Sequence, residues 1–250
     1  MLKLYRSSLI ALVFIAPLIT VPVLAQSTPP SDQELENRRR PRDEGIIRQR
    51  TSPLDNLEQT FEQNRRPRGE GIRRGAICAI SPATDRLQTE AVIWSDRPLF
   101  LWRTDPTVIR VTSIQVYNLE TNEIAWEKDL APADQRALFE GNPLQPGQIY
   151  VWELAFERQN PTTQTWEPET LSYTFEVLAG DRREQITAGL QQLSGDHTQN
   201  TSQDVAISQA NYLMQQGLLS DGLQILYRVS TPTPQLSERL QTLTNSVCES

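Results

Sequence analysis

The sequence predicts a mainly β protein: an antiparallel β-sandwich followed by a small α-helical region. Three observations carry that expectation. Apolar residues alternate with period two in the middle of the chain, turn signals recur every 10 to 15 residues or so, and the spacing switches to a helical one after about residue 180.

The first element is a targeting segment. Lys3 and Arg6 precede an apolar, uncharged stretch, "SSLIALVFIAPLITVPVLAQ". Val23, Leu24 and Ala25 form a cleavage-site pattern, so residues 1–25 read as a signal peptide and Gln26 as the new N-terminus. Pro17 and Pro22 interrupt the run, which argues against an uncleaved anchor. No Cys follows the site, so a lipid anchor is not expected. The chain is read as exported, to the periplasm or the extracellular space, and not as an integral membrane protein once the signal is removed.

Residues 26–75 are expected to be disordered. They are rich in Arg, Pro, Gln and Glu, and Phe61 is their one aromatic residue. Such a segment buries too little apolar surface to offset its conformational entropy. Within it, "SPLDNLEQTFEQN" places Leu54, Leu57 and Phe61 at helical spacing, a helix too short to stand alone. The lead also repeats a phrase: "RRPRDEGIIR" from Arg39 and "RRPRGEGIRR" from Arg65. Arg39, Arg40, Arg42, Arg65, Arg66 and Arg68 supply forked donors suited to carboxylates or phosphates, and two copies on one tether can act bivalently. The partner expected for them is an acidic protein or an anionic envelope surface. Docking on the chain's own acidic body and a plain solvated linker are the other readings.

Residues 76–179 form the predicted sandwich. In "IYVWELAFER", Tyr150, Trp152, Leu154 and Phe156 share one face, with Glu153 and Glu157 on the other. In "LSYTFEV", Leu171, Tyr173, Phe175 and Val177 do the same. The alternation slips between Val111 and Ile114, which predicts a bulge near Thr112. "NLETNEIAW" reads as a hairpin around Thr121–Asn122 with Ile124 and Trp126 inward.

Residues 180–250 read as helices. Asp181 with Glu184 makes a capping-box pattern, Gly217 stops a second helix, Ser220 or Asp221 caps a third, and Pro234 starts the last.

Two resemblances follow from these residues. "NPLQPGQIYVWEL", with Leu144, Pro146, Gly147, Tyr150 and Trp152, resembles the turn and following strand of fibronectin type III and immunoglobulin-like domains, and Trp102 matches the aromatic of an early core strand. The resemblance implies an immunoglobulin-like sandwich and no particular ligand. Ala210, Tyr212, Gly217, Gly222, Leu226 and Pro232 resemble one tetratricopeptide unit, which implies a small helical cap. The whole layout is also similar to a family of exported cyanobacterial proteins of unknown function. Arg74, Gly75, Cys78, Pro98, Phe100 and Trp102 carry that similarity. The family pattern puts its partner Cys inside the sandwich, where this chain has Leu154–Ala155.

An even Cys count in an exported chain favours a disulfide between Cys78 and Cys248 over two separate thiols. Charge is uneven. Residues 26–75 hold 11 Arg against 9 acids, and residues 76–250 hold 11 basic residues against 22 acids. The body is thus a poor match for nucleic acid.

Catalytic patterns are weak. The single His, His197, lies in a polar loop, and one His with two distant Cys makes no metal-ligand spacing. No Gly-rich phosphate loop sits between a strand and a helix, so no cofactor is expected. Glu153 and Glu157 are roughly 13 Å apart along a strand, too far for a glycosidase pair; a pair with Glu176 across strands is the closer option. Trp166, in "NPTTQTWEP", lies outside the alternation and is either a contact residue for sugar or protein or packed back on the domain. The sequence therefore reads as a non-enzymatic interaction or scaffold protein of the periplasm or envelope. The alternative is an envelope hydrolase or carbohydrate-binding protein using acids and aromatics of the sandwich.

Overall fold

The computed structural model describes residues 53–64, 77–83, 91–195 and 202–249. In chain order these form α1 (Pro53–Asn64), β1 (Ile77–Ser81), β2 (Ala91–Ile93), β3 (Leu99–Thr104), β4 (Ile109–Asn118), β5 (Ile124–Asp129), β6 (Arg136–Leu138), β7 (Ile149–Gln159) and β8 (Trp166–Val177). Four helices follow: α2 (Gly180–Gly195), α3 (Ser202–Gln215), α4 (Leu219–Tyr227) and α5 (Pro234–Glu249). The strands make a three-stranded sheet, β1-β3-β6, and a five-stranded sheet, β2-β8-β7-β4-β5. Among the described residues helix somewhat exceeds strand, so the expectation of a mainly β chain is corrected to a mixed one.

The alternating segments pair as long antiparallel strands. Trp152, Leu154 and Phe156 on β7 are buried, as are Phe175 and Val177 on β8. The register of β4 against β7 shifts between Val111 and Ser113, which places the bulge at Thr112. A second bulge was not legible. Val116 pairs with Trp126 and Tyr117 with Ile124, leaving Ala125 over. Because one extra residue reverses the pleat, Trp126 packs on the core while Ile124 is 54% exposed. The inward placement of Ile124 is thus corrected. So is the all-antiparallel sheet: β2 runs parallel to β8, from Ala91↔Phe175 to Ile93↔Val177. The two strands are far apart in sequence, so no hairpin forces them antiparallel.

The two sheets share one core. Phe100 on β3 lies 5.3 Å from the Trp152 ring and 6.1 Å from the Phe175 ring. β3 is different from every other strand, since Leu99, Phe100, Leu101 and Trp102 are all buried. Phe100 and Trp102 face the five-stranded sheet; Leu99 and Leu101 join a second cluster with the helices. An unbroken apolar run marks a strand covered on both faces. The three-stranded sheet is therefore a middle layer between the larger sheet and the helices.

The helical layer holds the largest departure from the sequence reading. Residues 53–64, assigned above to the disordered lead, form α1. Leu57 and Phe61 are 0% and 1% exposed, packed with Ile207, Met214, Leu240 and Leu243. Arg239 of α5 pairs with Asp55 at 2.9 Å and with Glu58. A helix too short to stand alone becomes stable once a tertiary partner buries its apolar stripe.

Gly217, at φ +79°, ends the chain segment after α3 in the left-handed conformation that glycine adopts without strain. Gly222 has a packing role. A Cβ there would lie 2.7 Å from Met214 Cγ and 3.2 Å from the Ala210 carbonyl oxygen, so its absence lets α4 approach α3. The cap assignments need correction. Leu218 holds the N-cap position of α4 and makes no side-chain cap bond, and Ser220 and Asp221 lie inside the helix. Asp181 lies in the first turn of α2, behind Gly180. No helix among the described residues is long and apolar enough to cross a membrane.

Candidate functional site

The site is built where the loop between β2 and β3, residues 94–98, meets α4. The Asp96 and Pro98 carbonyls of this loop accept from the Leu144 and Phe139 amides, but the Trp94, Ser95 and Leu99 amides find no backbone acceptor among the described residues, and burial would leave them unpaired. Two side chains one helical turn apart on α4 supply the missing acceptors. Asp221 accepts from the Trp94 and Ser95 amides at 2.8 and 2.7 Å. Gln224 accepts from the Leu99 amide at 2.8 Å and donates to the Arg97 carbonyl and the Ser95 hydroxyl, each at 3.0 Å. Arg183 of α2 completes the clamp, donating to the Trp94 carbonyl and pairing with Asp96 at 3.6 Å. Asp221, hidden inside its helix from any cap position, thus fastens the helices to the sheets.

Burial pushes the Asp221 carboxyl up to about 6, against the opposing pull of the two amides and of Arg183. A folded pKa above the ordinary 3.8 means that the fold favours the protonated acid. Its contribution to stability is then greatest below about pH 4, declines as pH rises to about 6, and is flat above. The decline amounts to something on the order of 3 kcal/mol. Asp221→Asn is expected to remove this slope, measured as the difference between wild-type and variant urea unfolding free energies from about pH 4 to about pH 7. Identical slopes in the two proteins would assign the pH dependence elsewhere.

The second constraint is covalent. Cys78 on β1 and Cys248 on α5 form a disulfide with Cα atoms 5.8 Å apart, across 170 positions of sequence. Cys78 is on the face of β1 opposite Ile77 and Ala79, the face that meets the helices.

Between these two fasteners lies an open groove of about 840 Å³. Leu101 of β3, Leu226 of α4 and Leu240 of α5 lie buried beneath it, and the half-buried Ile80 of β1 and Val229 are the aliphatic side chains that reach its surface. Its cationic residues are Arg103, Arg136 and Arg228. Arg103 is half-buried at the end of β3 and donates to the Thr244 hydroxyl at 2.9 Å. Arg136 lies 5.8 Å from the Tyr227 ring centroid. None of the three enters an ion pair among the described residues. The single acid on the wall, Asp134, accepts from the Ala131 amide at 2.8 Å in its own turn. A body with twice as many acids as bases has thus gathered on one surface three arginines that have no ion-pair partner among the described residues.

The residues singled out from sequence fare differently. Cys78 and Cys248 are joined as expected. Trp166 opens β8 and is half-buried, with the Arg110 guanidinium 3.7 Å over its ring, so it is packed back on the domain. Glu153 faces Ser172, whereas Glu176 faces Ile149. Four residues along β8 separate the two acids, about 13 Å at strand rise, and the register does not bring them together. His197 and Arg39, Arg40, Arg42, Arg65, Arg66 and Arg68 lie outside the described residues. Asp221, Gln224 and the groove arginines were not found from sequence. One signal was present: Arg103 ends an apolar run buried on both faces, where a charge must emerge beside the helices.

No protein-family model matches the chain, and no curated protein matches it. Among solved structures it is similar to one of astrotactin-2, described as a conserved vertebrate-specific and perforin-like membrane protein involved in neuronal development. Identity is 12%, the match covers 66% of this chain and 38% of that one, and the TM-score is 0.24. At those values the likeness decides neither fold nor function.

Proposed function

We propose that this is an exported, non-enzymatic interaction protein of the periplasm or cell envelope, in which an immunoglobulin-like sandwich and a tetratricopeptide-like helical cap together present one binding groove. The observation that carries the reading is the groove itself, with three arginines free of acidic partners among the described residues. Disulfide pairing supports export, because such bonds persist in oxidising compartments. The immunoglobulin-like assignment draws support from one corner of the fold. Gly147 has φ +79°, Leu144 is buried, and the Tyr150 hydroxyl accepts from the Gln145 amide at 3.0 Å. A tyrosine bonding back to the backbone just upstream is a device of such sandwiches. Resemblance to the exported cyanobacterial family points the same way. The duplicated Arg phrase adds a second basic contact, for an acidic protein or an anionic envelope surface.

The test is site-specific photo-cross-linking in native cells after fractionation. A cross-linker at Gln241, on the groove rim, is compared with one at Thr170, exposed on β8. Recovery of the protein in the envelope or periplasmic fraction, with an adduct from Gln241 alone, is the expected result. A protein confined to the cytosol, or one giving no adduct from the groove, defeats the proposal.

A further inference from the structure

Arg103 poses a physical question that its own contacts do not answer. Its guanidinium is half-buried between β3 and α5, and the Thr244 hydroxyl it meets is neutral. Partial burial strips water from a charge, and a hydroxyl returns a hydrogen bond without returning the counter-charge. The other half-buried arginines among the described residues are treated otherwise: Arg158, Arg183 and Arg239 each have a carboxylate within 4.0 Å. No carboxylate of the described residues supplies that counter-charge in the groove, which leaves the place open to a bound acid.

The shape of the groove narrows the chemistry. A lone phosphate or carboxylate would occupy a small part of 840 Å³ and leave Ile80, Tyr227 and Val229 wet. Nucleic acid is disfavoured by the acidic body around it. An extended peptide matches every wall. Its carboxylates reach the guanidinium forks, an apolar side chain covers Ile80 and Val229, and its backbone finds the side chains of Ser237 and Gln241. Arg136 and Tyr227 add a ready-made cationic and aromatic edge.

We infer that the groove between the three-stranded sheet and α4–α5 binds an extended acidic peptide segment of a partner protein, with Arg103, Arg136 and Arg228 taking its carboxylates. This rests on the interaction reading above and adds to it the class of ligand.

The experiment uses the mature, oxidised protein. A fluorescent peptide of about ten residues, alternating Glu with Leu, spans the groove; a second peptide has Gln in place of Glu. Binding is followed by anisotropy at low and high salt. Arg136→Ser/Arg228→Ser removes two exposed side chains, and an unchanged melting curve checks its fold. Expected are binding of the Glu peptide that weakens with salt, and a loss of roughly tenfold or more in the double variant. Equal binding of the Gln peptide, or binding untouched by the double variant, overturns the inference. So does competition by inorganic phosphate at concentrations matching the peptide, which would mark a small-anion site. Failure of the peptide to bind while Gln241 cross-links persist in cells removes the acidic peptide and leaves the interaction reading; loss of the cross-links removes that reading as well.

Discussion

Replacing Cys78 and Cys248 by serine together lowers the free energy of unfolding by about 5 kcal/mol, because the bond closes a loop of 170 positions and so restricts the unfolded chain. For a domain of this size, that corresponds to a fall in melting temperature of ~10–20 °C. The measurement is thermal and urea unfolding of the double variant beside the oxidised protein. Hydrogen exchange should show the seam between β1 and α5 opening first, since the bond also joins two walls of the groove. A loss below about 1 kcal/mol would mean that the unfolded chain keeps its ends together without the bond, or that packing alone holds α5 in place.

Leu57→Ala with Phe61→Ala is the second large effect. Single truncations of this kind in a well-packed core cost about 2–5 kcal/mol each, and neighbours one helical turn apart do not add independently. Both side chains are almost wholly enclosed by α3 and α5. The expected loss is on the order of 5 kcal/mol, capped by the free energy with which α1 docks, since a single docked helix can detach before the rest unfolds. Hydrogen exchange across residues 53–64 reads this directly. Protection should vanish there while β7 and β8 stay protected. Unchanged protection of residues 53–64 would show that Asp55 and Glu58, paired with Arg239, hold the helix without its apolar stripe.

The same helix shows how far the sequence could be read. Leu54, Leu57 and Phe61 were visible at helical spacing, and their surroundings of Arg, Pro and Gln were visible too. Composition argued for disorder, and it argued from the segment alone. What it lacked was the partner, a surface made by Ile207, Met214 and Leu240 from far along the chain. Ile124 is a similar case at smaller scale. Its two-residue spacing from Trp126 predicts a shared inward face, yet one unpaired residue, Ala125, turns Ile124 outward. A bulge that leaves no slip in its own strand's apolar pattern is set by the pairing strand and is not contained in that strand's sequence. Thr112 was legible because its slip occurs within one continuous apolar pattern.

Of the candidate site, the disulfide was legible and the groove was not. Pairing follows from two cysteines in a chain whose sequence predicts export, a matter of counting. Arg103, Arg136 and Arg228 come from β3, from β6 and from the residue after α4, and no spacing relates them. Asp221 looked like a helix cap because an acid near a helix start usually caps it. It turned instead toward Trp94 and Ser95, whose amides had no strand to bond.

The sequence by itself determined four of the five strands of the larger sheet, β4, β5, β7 and β8, most of the helices and the covalent staple. These depend on period, turn chemistry and residue count, which are local or additive properties of a chain. Only the tertiary structure decided that β3 is covered on both faces, that α1 belongs to the folded body, and that three arginines share one groove. Each of those depends on which distant surface a residue meets, and burial, more than local propensity, sets the outcome there.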